Sequence, residues 1–472
     1  MLSLITYTID KSGLVLYYVI KHYANLKEGN PMKTILIRNA TIMTMNERGD
    51  ILTGDLLIRG KRIAQIGGEI AEGGVDRIIE ADGKVVLPGF VQTHIHLCQT
   101  LFRGRADDLA LIEWLRERIW PLEAAHSADS VYYSAMLGIG ELIRSGTTTI
   151  LDMETVHHTD SAFQAILESG IRAISGKVMM DHGTEVPLAL QENTQQSLQQ
   201  SVDLLEKWNG AGDGRIQYAF CPRFVVSCTE ELLIGVRDLS EQYKVKVHTH
   251  ASENTGEIAI VEAERGKRNV VYLDHIGLAR PNLILAHSIW LDEEEKRIIK
   301  ERGVKVTHCP GSNMKLASGI AEIPELLREG IDIGIGADGA ACNNNLDMYQ
   351  EMRLTAFIQK VKHGPTVMDA RTVLRMATMG GAKVLGMEND IGSLEEGKLA
   401  DLQMLDLEDF HVYPSYDADW FSRVVYAATR GDVDTVIIDG QIVMEKRIMK
   451  TIDKPLVLRE ADRSLRGLLA RL

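Results

Sequence analysis

From residue 33 the chain opens with short runs in which apolar and polar positions alternate. The stretches "KTILIRNATIMTM" (33–45), "DLLIRGKRIAQIG" (55–67) and "RIIEADGKVVLPG" (77–89) are rich in Ile, Val and Thr, with Gly or Asn-Glu punctuation between them. That pattern predicts antiparallel strands. The same texture returns in "KLADLQMLDL" (398–407) and "VDTVIIDGQIVMEKRIM" (433–449). A small β unit built from both ends of the chain is the economical explanation.

Between these ends, strand-like runs alternate with amphipathic helical ones. The strand candidates are "GFVQTHIHL", "TTTILDM", "GIRAISGKVMMD", "RIQYAFCPRF", "KVKVHTHASE", "NLILAHSIWL", "GVKVTHCPGSN" and "IDIGIGADGAA". Helical stretches such as "SADSVYYSAMLGIGELIRSG" and "LDEEEKRIIKERG" lie between them. Eight strands with alternating helices match a (β/α)8 barrel better than an open doubly wound sheet. The expected layout is an N-terminal extension at 1–31, a first part of a β-sandwich at 32–86, and the barrel at 87–388. The second part of the sandwich follows at 389–450, and a C-terminal helix at 451–472.

Composition narrows the partners. The chain has 472 residues, of which 45% are apolar and 25% charged, as in ordinary globular proteins. A formal charge of −14 and the lack of a lysine-arginine run argue against nucleic acid. The N-terminal "SGLVLYYVI" is too short to span a bilayer and has no cleavage site after it, so no membrane is expected. Met32 reads as an internal start. The cysteines Cys98, Cys221, Cys228, Cys309 and Cys342 are five, spread out and without a CxxC, which fits a reducing cytoplasm rather than a disulfide framework.

Two motifs are decoys. "GIGADG" (334–339) matches the dinucleotide fingerprint GxGxxG but falls at the eighth strand rather than in an early βαβ unit. "GSLEEGKL" (392–399) resembles a P-loop, yet Leu399 stands where a magnesium-binding Ser or Thr is needed.

The ends of the predicted strands carry the chemistry. His94 and His96 lie on the first, His248 and His250 on the fifth, His287 on the sixth, His308 on the seventh and Asp338 on the eighth. A lone strand histidine is usually a hydrogen-bonded core residue, but four or more strand ends of one barrel each supplying an imidazole or carboxylate weaken that explanation. Such donors suit one divalent ion, zinc first and iron or manganese also. An ion with an open position lowers a bound water's pKa to about 7, so the expected reaction is hydrolytic. Glu253 is placed to shuttle the proton. Alternation leaves His248 and His250 equivalent, since residues two apart on a strand share a face.

Taken in order, "LPGFVQTHIHL", "HASE", "LAHSIWL", "THCPGSNMKL", "GIGADGAACNNNLDMYQEMRL" and "IGSLEEGKLADL" resemble the amidohydrolase superfamily, in its aminohydrolase branch, over residues 34 to 450. That branch includes deaminases of S-adenosylhomocysteine, methylthioadenosine and 5'-deoxyadenosine, guanine deaminases and s-triazine hydrolases. The resemblance implies a barrel flanked by the composite sandwich, and a homo-oligomer. It implies His94, His96, His250 and Asp338 as metal ligands, Glu253 as proton shuttle, and His287 as a catalytic partner of the attacking water and substrate. His248, about 6.6 Å deeper along the strand, becomes a barrel-interior residue behind the site. Strand four, "RIQYAFCPR", lacks the lysine that bridges two metals in binuclear relatives, so one ion is expected. The HxE and PCxxC elements of the zinc deaminases that act on flipped bases are absent.

The implied activity is hydrolytic deamination of a purine nucleoside or related N-heteroaromatic small molecule. Trp114 would pack near the ligand and Glu123 would meet ribose hydroxyls; without the resemblance, both read as ordinary helix residues. Gln99 and Arg223, followed by Phe224, look instead like the purine contacts of guanine deaminases. This leaves a guanine-, 8-oxoguanine- or s-triazine-type hydrolase as the alternative, and a structural ion pair as the plain explanation of Arg223. His308, with Ser312 and Asn313, is expected to line the pocket, against a simple Ser/Asn-held turn. His157, His158 and His182 have no ligand spacing. A catalytically silent binding protein of this fold would show a broken ligand set, and the set is complete.

Overall fold

Eight parallel strands close into a barrel in the computed structural model, which describes residues 34–71, 73–183 and 186–472. The expected extension at 1–31 lies outside the described residues. In chain order the strands are Phe90–His96, Thr147–Met153, Arg172–Gly176, Ile216–Pro222, Lys246–Ala251, Leu283–His287, Lys305–His308 and Ile333–Ile335. Every residue of the first two is buried, as expected where helices cover a parallel sheet. The fourth and fifth strands join at Phe220 beside Val247, and the eighth closes the ring on the first at Ile335 beside Gln92. The eighth strand breaks and resumes at Asp338–Gly339, pairing Asp338 with Ile95. At the break, a Cβ on Gly336 would lie 2.5 Å from the His94 carbonyl oxygen, so only glycine permits that approach.

The covering helices carry their own start signals. Asp292 caps Glu293–Arg302, accepting from the Glu295 amide while Glu295 reaches back, and Gly303 ends the helix at φ 67°. Ser127 and Ser130 make the equivalent box for Ala128–Arg144. The terminal helix Lys454–Leu469, capped by Asp453, packs against Ala128–Arg144.

Strands from both chain ends form one composite sheet, as the texture suggested. One detail differs. Thr34–Met43, Ile51–Arg59 and Arg62–Ile66 run antiparallel, but Arg77–Glu80 and Lys84–Pro88 lie parallel to Thr34–Met43. The intervening hairpin takes part in the crossover that a parallel neighbour needs, a pairing that alternation within each strand does not encode. The sheet is tied to the barrel by Arg172, whose buried guanidinium forks onto Asp401 at 2.6 and 3.0 Å and reaches Asp439 at 3.0 Å. Among the described residues no helix is long and apolar enough to cross a membrane.

Candidate active site

At the C-terminal mouth of the barrel, the first, fifth, sixth and eighth strands bring five polar residues together. His94 and His96 share the inward face of the first strand, and His250 is the penultimate residue of the fifth. The ligand atoms of these three imidazoles all lie within 4.8 Å of one another. Asp338 Oδ1 stands 3.3 Å from His94 Nε2 and 3.3 Å from His96 Nε2. Across the site, His287 Nε2 faces Glu253 Oε2 at 3.5 Å and Asp338 Oδ2 at 3.8 Å. His287 and Asp338 adopt left-handed backbone, at φ 71° and 60°. Non-glycine residues enter that region at a cost, and such strain concentrates at functional sites.

Each ring is fixed from behind. His96 Nδ1 lies 2.7 Å from the Met153 carbonyl oxygen and His250 Nδ1 2.7 Å from that of Arg223. His94 Nδ1 pairs with His248 Nε2 at 2.7 Å. His287 Nδ1 lies 2.8 Å from Asn313 Oδ1. Glu253 is steadied by the Ser318 hydroxyl at 3.4 Å, and its amide donates to Glu257 at 2.8 Å.

Burial and mutual charge set the protonation states. Burial, with the neighbouring His94, pushes His96 down to about 3. His94, His248 and His250 are lowered too, chiefly by burial. Burial would raise the Asp338 carboxyl, but His94, His96 and His287 around it outweigh that and hold it well below the usual carboxylate range. Burial raises Glu253. His287 is pulled down by burial yet ends above its ordinary value, because Glu253 and Asp338 face it. A carboxylate held low, a carboxyl raised by burial and an imidazole held above its ordinary value therefore surround one point.

The fit to a metal ion is testable on one atom. His94 Nε2 is buried and makes no well-aligned hydrogen bond, with the Asp338 Oδ1 carboxylate oxygen 3.3 Å away. Burying such a nitrogen without a well-made partner is costly. A divalent cation held by His94, His96, His250 and Asp338 removes that cost with the N/O donor set such ions accept.

Above this point lies a narrow cleft with about 30 Å³ of free space, room for little more than water in this state. His96, His250, Glu253, His287 and Asp338 form its floor, and Leu111, Trp114, Leu115, Phe224 and Leu316 give it apolar walls. Gln99 and Arg223 complete the lining. Leu111 to Leu115 belong to a helical segment that contains a π-turn at Leu115–Ile119, a rare feature frequent near functional sites.

Two expected substrate contacts are placed differently. Glu123 is not on the wall: it sits behind it, accepting from Arg223 Nη1 at 2.6 Å, Arg223 Nη2 at 3.3 Å and Gln99 Nε2 at 3.0 Å. Three of its acceptor sites are taken by neighbours, and Arg223 comes from the fourth strand's end, a hundred residues away in sequence. His308 is buried off the cleft with both ring nitrogens unpartnered, since the strand's break into Pro310–Lys315 turns Asn313 and Leu316 toward the site instead. Ser318, Leu111 and Leu115 were not legible in sequence; the i, i+4 spacing of the two leucines was the available signal. His157, His158 and His182 stay outside the cluster.

Residues 85–443 match the amidohydrolase family. The chain is 42% identical over 436 residues to the 5'-deoxyadenosine deaminase of Methanobrevibacter smithii, covering 92% of this chain and 98% of that protein. It is 40% identical over 440 residues to the 5-methylthioadenosine/S-adenosylhomocysteine deaminase of Carboxydothermus hydrogenoformans, covering 92% and 98%. The crystal structure of an adenosine deaminase from Xanthomonas campestris with bound zinc superposes with a TM-score of 0.86 at 32% identity, covering 93% of this chain and 99% of that one.

Proposed function

The chain belongs to the amidohydrolase family, and from that premise we propose that it is a metal-dependent aminohydrolase acting on 5'-substituted adenosines such as 5'-deoxyadenosine, methylthioadenosine or S-adenosylhomocysteine. The observation that carries this reading is the meeting of His94, His96 and His250 ligand atoms within 4.8 Å, beside Asp338 and under an apolar cleft. Zinc is the first candidate, with iron and manganese compatible with the same donors. Bound there by His94, His96, His250 and Asp338, the ion supplies an acidified water at neutral pH.

The protein groups then move the protons. Attack of the water oxygen on the amine-bearing ring carbon forms the new C–O bond. Glu253, kept protonatable by burial, carries one water proton to the adjacent ring nitrogen. Asp338, held as the carboxylate, accepts the remaining water proton, which passes to the exocyclic amine as the C–N bond breaks and ammonia leaves. His287 stays hydrogen-bonded to Asn313 and directs Nε2 at both carboxylates. Trp114, Phe224 and the leucines exclude water and sandwich a flat ring.

Gln99 and Arg223 on the cleft wall favour a second reading, a guanine-type or s-triazine hydrolase with the same machinery. Ammonia release across 5'-deoxyadenosine, methylthioadenosine, S-adenosylhomocysteine, adenosine, guanine and ammeline separates the two. Turnover of the 5'-substituted adenosines is expected, and silence on every adenosine with turnover of guanine or ammeline would overturn the first reading. The same proposal includes a homo-oligomer in the cytoplasm, where the five buried free thiols stay reduced.

A further inference from the structure

The three imidazoles of the proposed metal centre differ in what holds their outer nitrogen. For His96 and His250 it is a main-chain carbonyl, of Met153 and Arg223, each at 2.7 Å. His94 Nδ1 meets no carbonyl; its partner is His248 Nε2 at 2.7 Å. His248 Nδ1 in turn lies 3.1 Å from the Ile284 carbonyl oxygen, and Ile284 is the register partner of His248 on the next strand.

This chain of contacts has one consistent assignment of protons. A carbonyl oxygen only accepts, so His248 carries its proton on Nδ1 and leaves Nε2 as an acceptor. His94 Nδ1 must then be the donor, and His94 Nε2 is bare. Nε2 is the atom that faces the ligand cluster, buried and without a well-aligned hydrogen bond.

From this geometry we propose that His248 is a positioning residue. It does for His94 what a carbonyl does for the other two ligands, relaying the Ile284 carbonyl through one imidazole to fix the tautomer and ring orientation that a divalent ion needs. A histidine merely filling the barrel interior has no reason to meet a ligand's nitrogen at 2.7 Å while its other nitrogen is anchored on main chain. The inference rests on the metal-centre reading above.

The test is metal affinity rather than turnover. Metal-free full-length protein is titrated with zinc in competition with a chromophoric chelator, for the wild type, His248→Leu and His248→Gln. Leucine removes the acceptor, and affinity is expected to fall about ten- to a hundredfold. Glutamine keeps an acceptor near the place of Nε2 and is expected within about threefold of wild type, which a purely space-filling role would not produce. Wild-type affinity in His248→Leu, or an equal loss in both variants, overturns the proposal. Should the leucine variant fail to fold, His248→Met fills the ring's space without a nitrogen or oxygen acceptor and takes its place in the comparison. A wild-type protein that binds no zinc, iron or manganese overturns the metal centre itself, a result distinct from either.

Discussion

Arg223 and Glu123 form a forked ion pair inside the protein, with Nη1 to Oε2 at 2.6 Å, Nη2 to Oε1 at 3.3 Å and each residue 3% exposed. Removing one member strands the other's charge. Arg223→Met is expected to lose about 3–5 kcal/mol in chemical denaturation. The double variant Arg223→Met/Glu123→Leu should recover much of that, because no unpaired charge remains. An Arg223→Met protein as stable as wild type would show that the pair does not hold this wall of the cleft.

Asn313 fixes His287 through Nδ1 at 2.8 Å. Truncation to alanine should misplace the imidazole and lower kcat on the order of a hundredfold. KM should change little, since Asn313 does not line the cleft. Asn313→Asp keeps the acceptor and is expected to restore most of the rate. A loss expressed in KM alone would contradict the assignment.

Glu253 and the metal can be separated. Dialysis against a chelator should abolish turnover, and about one equivalent of a divalent ion should restore it. Glu253→Gln should retain the ion, because Glu253 is not among the clustered ligands. Its kcat should still drop by about 10²- to 10⁴-fold, the usual worth of a general acid–base group. Elemental analysis and steady-state kinetics on the same samples decide the matter.

Glu351 offers a pH test away from the metal. It accepts from the Gly311 amide at 3.0 Å and from Asn343 Nδ2 at 2.8 Å, clamping the segment that carries Asn313 to the loop after Asp338. Burial pushes its carboxyl from 4.5 up to about 8. A folded pKa above the unfolded one means that the stabilisation is complete below about 4.5 and lost as pH rises through about 8. The stability of wild type relative to Glu351→Gln should therefore fall by about 1.4 kcal/mol per pH unit across that window. Denaturation curves at several pH values that keep a constant difference would refute this.

The sequence determined the architecture and the candidate site residues, the first by local pattern and the second by strand ends together with the family resemblance. Alternating runs and helix caps such as Asp292 with Glu295 set the elements, and eight strands alternating with helices leave few ways to close other than a barrel. Residues at strand ends must converge on one mouth, so His94, His96, His248 or His250, His287, His308 and Asp338 could be named before any coordinate was known, and the family resemblance then singled out His250. Alternation could not rank His248 against His250, as both share a face; the resemblance chose His250, and the 2.7 Å from His248 Nε2 to His94 Nδ1 shows what the deeper ring touches. Nor could it see that Glu123 would be consumed by Arg223 and Gln99, or that Asn313 rather than His308 would reach His287. Those are pairings between residues far apart in sequence, fixed by how strands and loops pack in three dimensions, and hydrogen-bond partners at that range leave no periodicity in the chain.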